Sequence, residues 1–83
     1  MKKEHDHTYV LTLTVRNNPG VLVRCTQVFN RRGHNIEALQ VANTSNSVAR
    51  MTITAFGKRE TIHQITLQLK KLVDVIDITK KEL

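Results

Sequence analysis

The sequence predicts an α/β sandwich: a four-stranded antiparallel sheet with two helices on one face, in the order β-α-β-β-α-β. Three observations carry this. Residues 9–15 alternate apolar and polar side chains with a period of two, and further apolar runs recur at 36–41, 48–56 and 73–78. Between the first and second runs, and again between the third and fourth, apolar residues return every three or four positions, as on one face of a helix. A chain of 83 residues holds one domain and not two, so both helices must share one sheet.

The first strand places Tyr9, Leu11, Leu13 and Val15 on one side and Val10, Thr12 and Thr14 on the other. RNNPGVL at 16–22 then turns the chain. Val21, Leu22, Cys25, Val28 and Phe29 form the apolar face of the first helix. Asn18 is suited to cap that helix, Pro19 fits its first turn, where an N–H needs no partner, and Gly33 fits its end. Ile36–Val41 is the second strand and Val48–Phe56 the third, joined by the turn sequence NTSNS. Ile62, Ile65, Leu69 and Leu72 mark the second helix. Thr61 and Gln64 have capping-box spacing, and a start nearer Lys58 is the alternative. Val73–Ile78 is the last strand. Residues 1–7 are expected to be flexible and 8–80 to form the domain.

Two right-handed crossovers in one antiparallel sheet give the ferredoxin-like sandwich. The second strand then lies at a sheet edge. An edge carrying Leu39 and Val41 is a liability unless something pairs with it, and a second copy of the chain would do so.

The net charge of +6 favours an acidic partner, but the basic residues are scattered. Arg24, Arg31 and Arg32 on the first helix are the set that could dock an acidic protein surface. The single cysteine, Cys25, excludes an internal disulfide and a cysteine-based zinc site, and it falls on a buried face. No apolar run is long enough to span a membrane, and MKKEHDH lacks the apolar part of a signal peptide, so a cytoplasmic protein is expected.

Fold does not give function, so each class is tested against residues. An RNA-recognition module needs aromatic residues in mid-strand, where this chain has threonines; no nucleic-acid partner is expected. A metal chaperone needs a CxxC loop, which is absent; His5, Asp6 and His7 read as a solvated terminus, and His34 and His63 have no recognisable partners. GVLVR at 20–24 resembles the Gly-Val-x-x-Arg anion cradle of acylphosphatases, but the asparagine that family uses after its first helix has no counterpart. That leaves RNNPGVL as a plain turn or as a ligand loop. A helix start exposes N–H groups with about half a positive charge, Asn17 can donate and accept, and Gly20 lets a ligand approach the backbone.

Four stretches in order, TVRNNPGVLVR, VFNRRGHNIEALQVA, ARMTITAFG and ITLQLKKLVDVIDI, resemble the ACT domain of the regulatory (small) subunit of acetohydroxyacid synthase, or acetolactate synthase. The resemblance spans residues 8–79 and looks like the short form of that subunit. It implies a non-catalytic partner of a catalytic subunit that carries thiamine diphosphate, magnesium and FAD, with no cofactor in this chain. It also implies activation of that subunit and feedback inhibition by valine or another branched-chain amino acid. Effector sites of the family lie between two ACT domains paired at their edges. Carried onto this sequence, Asn17, Gly20, Val21 and Leu22 come from one protomer, Asn35 and Ile36 from the other, with Ala42 nearby. Arg16 departs from the acidic residue many relatives carry there. A free-standing ACT amino-acid sensor is the alternative.

Overall fold

The computed structural model describes residues 6–83. Its elements are β1 (His7–Arg16), α1 (Val21–Arg31), β2 (Ala38–Asn43), β3 (Val48–Gly57), α2 (Arg59–Lys70) and β4 (Val75–Glu82). The sheet is antiparallel throughout, in the order β2-β3-β1-β4, with β1 paired to both β3 and β4. This is the ferredoxin-like sandwich expected from the period of the apolar residues.

The period of two in β1 sorts its side chains cleanly. Tyr9, Leu11, Leu13 and Val15 are buried under the helices, whereas Val10, Thr12 and Thr14 are half-buried on the open face. Leu11 stands opposite Ile53 and Leu13 opposite Met51, so β3 extends the same apolar surface. The helices close it with Cys25 and Phe29 from α1 and Ile62, Ile65 and Leu69 from α2. Each such aliphatic side chain contributes about 1.5–3 kcal/mol by leaving water, which makes this layer the main source of stability.

Several boundaries move, each for a local reason. His7, expected in the flexible end, is the first residue of β1: it pairs with Gly57, and its Nδ1 lies 3.1 Å from Glu82 Oε2. Residues 1–5, His5 among them, lie outside the described residues. β2 starts at Ala38 rather than Ile36, because Ile36 turns inward against the core and the ladder opens with the Glu37 N–H donating to Thr54 O (2.8 Å). β4 begins at Val75 and runs to Glu82, past the expected limits at residues 78 and 80. Val73, read as its first residue, lies in the preceding turn and is 82% exposed. Leu72 lies just past α2 and packs on the core from there.

Neither helix uses a side-chain cap. α2 follows Lys58, the alternative start, so Thr61 and Gln64 lie inside the helix rather than forming a capping box. α1 follows Gly20, held at φ 84°, again with no side-chain cap. Asn18 instead accepts the Val21 N–H on its main-chain oxygen at 3.2 Å and sends its amide elsewhere. Gly33 ends the α1 region as expected, at φ 64°.

Three connections meet at one end of the sheet. The Asn17 N–H donates to Ser47 O (2.9 Å), joining the β1–α1 loop to the β2–β3 hairpin. The Arg16 N–H donates to Asp74 O (2.8 Å), joining the same loop to the α2–β4 turn.

Candidate functional site

At that end the buried carboxylate of Asp74 organises the loop. One oxygen accepts from the Asn18 side-chain amide at 2.9 Å, and the other pairs with Nη2 of Arg24. Asp74 is the buried charged residue among those described. Hydrogen bonds from Arg24, then from Asn18, hold its carboxyl below the usual carboxylate range against the opposing effect of burial, and the charges of Arg24 and Arg16 add to them. The guanidinium also closes over Gly20, where a Cβ would stand 3.0 Å from Arg24 Nη1. A side chain at position 20 would therefore meet both an unfavourable backbone conformation and the arginine.

The seven residues expected at a ligand site occupy three settings. Asn17 has an exposed side chain, and Gly20 shapes the turn. Val21 differs from the expectation: its side chain is in the core and its N–H is engaged by Asn18. The N–H groups of Gly20, Leu22 and Val23 are the ones here without a backbone acceptor among the described residues. Leu22 was expected on the inner face of α1 but is 40% exposed beside them. Asn35 and Ile36 lie elsewhere. Asn35 is exposed, with Nδ2 3.4 Å from Glu37 Oε2, and Ile36 is half-buried. They precede β2, whereas the loop lies at the far end of that strand, about 20 Å away at roughly 3.3 Å per residue. Ala42 is exposed near the loop end of β2, opposite Arg50. One chain thus brings Asn17, Gly20, Leu22 and Ala42 to one end and leaves Asn35 and Ile36 at the other.

All six residues of β2 are exposed. Leu39 and Val41 stand opposite the buried Ile53 and Met51, so they extend the helix-side apolar surface beyond the helices, and they are 37% and 49% exposed. The predicted edge is therefore present and apolar.

Sequence reasoning missed Arg24 and Asp74 as parts of the loop. Arg24 was grouped with Arg31 and Arg32 as a docking surface, but its guanidinium is held at the loop through Nη2 by Asp74. Arg31 and Arg32, with Val28 and Gln68, instead line a cavity of about 240 Å³ between α1 and α2. A carboxylate flanked by valines, Val73-Asp74-Val75, was the available signal of a buried charge. Cys25 is fully buried; burial pushes its thiol up to about 11, with Arg24 opposing and Asp74 adding to the rise. No group of three His, Cys, Asp or Glu residues among the described ones is placed to hold a metal ion. No described helix is long and apolar enough to cross a membrane.

Residues 11–77 match the family model of the AHAS (acetohydroxyacid synthase) small subunit-like ACT domain. The chain belongs to this family. The ACT domain is 40% identical over 74 residues to the acetolactate synthase small subunit of Buchnera aphidicola subsp. Baizongia pistaciae, covering 88% of this chain and 46% of that one. It is 43% identical over 76 residues to the probable acetolactate synthase small subunit of Methanothermobacter thermautotrophicus, covering 90% and 45%. Among solved structures, the acetolactate synthase small subunit from Thermotoga maritima superposes with a TM-score of 0.79 at 34% identity, covering 88% of this chain and 46% of that one. The ACT domain thus spans about half the length of the relatives it matches.

Proposed function

We propose that this ACT domain is the effector-sensing part of a regulatory subunit of acetolactate synthase, pairing with a second copy through β2 and binding valine or another branched-chain amino acid at the seam. The observation that carries the reading is the split of the candidate residues between the two ends of an exposed, apolar β2. A two-fold axis beside an edge strand sets two copies of that strand antiparallel. The start of one β2 then lies beside the end of the other. The partner's Asn35 and Ile36 come next to Asn17, Gly20, Leu22 and Ala42 of the first chain, and Leu39 and Val41 are covered in the same step.

In this arrangement the effector carboxylate faces the free N–H groups of Gly20, Leu22 and Val23, where the α1 dipole is positive. Asn17 and the partner's Asn35 take its remaining polar atoms. Its aliphatic side chain packs on Leu22 and the partner's Ile36. The effector then stabilises one dimer arrangement, and it inhibits only to the extent that it binds that arrangement better than the other. The chemistry, with thiamine diphosphate, magnesium and FAD, belongs to a catalytic subunit in the cytoplasm, which this cofactor-free chain activates.

The test is calorimetric titration of the protein with valine, leucine and isoleucine, with serine as control, beside a measurement of its solution mass. Binding of a branched-chain amino acid by a dimer is expected. A folded monomer that binds none of them, alone or mixed with the catalytic chain of the same organism, overturns the reading.

A further inference from the structure

We propose that Arg24 is the group that recognises the ligand's carboxylate at this loop, and that Asp74 is the positioning residue that aims it. The inference rests on the effector reading above and adds to it a charged side chain and a reason for ligand selection.

The argument rests on where the guanidinium is held. Arginine is long and flexible, and fixing it costs rotamer entropy unless something pre-orders it. Here the ordering group is Asp74, whose second oxygen is itself fixed by Asn18. Only Nη2 is used in that pair. Nη1 lies over the bare face of Gly20 and has no acceptor among the described residues. The Arg24 side chain is 43% exposed, so the guanidinium is anchored through Nη2 without being buried. A guanidinium presents donors on more than one edge, so one carboxylate can orient it while another is bound.

The charge balance agrees. Asp74 neutralises one cation, but Arg16 is close enough to act on the same carboxylate, so Arg16, Arg24 and Asp74 together leave one net positive charge at the loop. A free amino acid brings a carboxylate to meet it. An uncharged analogue of the same shape does not, and it would leave that guanidinium edge without a charged acceptor. Arg24 thereby selects for the acid over its amide.

The experiment uses valine and valinamide on the wild-type protein and on Arg24→Met and Arg24→Lys, with binding read by calorimetry and folding by thermal unfolding. Wild type should prefer valine by at least tenfold. Arg24→Met should weaken valine binding roughly 10–100-fold and leave valinamide almost unchanged, reducing the preference to what the loop N–H groups alone supply. Arg24→Lys still pairs with Asp74 but lacks the second fork, so it should keep the fold and lose most of the preference, which keeps the test decisive if the methionine variant fails to fold. Asp74→Asn should reduce the preference in the same direction. Valine preferred by Arg24→Lys as strongly as by wild type, or an equal loss for both ligands in the variants that fold, overturns the role of Arg24 and leaves the effector site standing. Wild type binding neither compound nor any other branched-chain amino acid overturns the effector reading and this proposal with it.

Discussion

Asp74 and Arg24 are fifty positions apart in sequence, yet their side chains form the ion pair that ties the α2–β4 turn to the first helix beside the loop. Asp74 also accepts from Asn18 and, through its main-chain oxygen, from the Arg16 N–H, so one residue fixes both sides of the loop. Its lowered pKa makes that contribution pH-dependent. A carboxyl with a depressed folded-state pKa stabilises fully above its unfolded value, near 3.9, and the stabilisation is lost as the pH falls through the folded value. Wild type should therefore exceed Asp74→Asn in stability at pH 6 by a margin that shrinks on acidification below about pH 4. Denaturant unfolding of both proteins across that range measures it, and a margin independent of pH would show that the charge of Asp74 is not what holds the loop.

The two left-handed glycines should respond differently to alanine. Gly33 has open space around its missing Cβ, so Gly33→Ala carries the backbone strain alone, about 1–2 kcal/mol. Gly20→Ala adds displacement of Arg24 and should cost more. Urea unfolding of the two variants gives the order.

The edge strand predicts the assembly. Val41→Lys and Leu39→Lys place a charge at exposed positions, so the monomer should fold normally while the proposed β2 pairing weakens at least tenfold. Sedimentation equilibrium should show a dimer for wild type and a shift to monomer for the variants. By contrast Ile53→Ala, opposite Leu39 but fully buried, should cost about 2–5 kcal/mol of folding stability.

Cys25 should behave as a core residue. With its thiol pushed up to about 11 and no exposed surface, it should resist an aromatic disulfide reagent at pH 8 and react rapidly only in denaturant. Reaction in native buffer at the denatured rate would mean that α1 opens readily.

Arg31 and Arg32 remain available for an acidic partner surface, now without Arg24. Arg31→Glu with Arg32→Glu should slow association with a catalytic chain at low salt, with little effect at high salt, as stopped-flow mixing would show.

The period of the apolar residues determined the element order, the two-layer sandwich and the edge position of β2, because burying one face of each element admits few arrangements in so short a chain. Residues such as Leu11, Leu13 and Ile65 were legible for that reason. The resemblance carried the loop and the split set of candidate residues. What only the tertiary structure decided was how the loop is held. Asn18 has the composition of a cap but serves as a bridge, Arg24 has the look of a surface charge but is an anchored fork, and Asp74 has only its flanking valines to mark it, one of which is itself exposed. Each takes its role from a residue at least fifty positions away. Local sequence reports how a segment lowers its own free energy. The partner of a buried charge is set by which distant segments the packed core brings together.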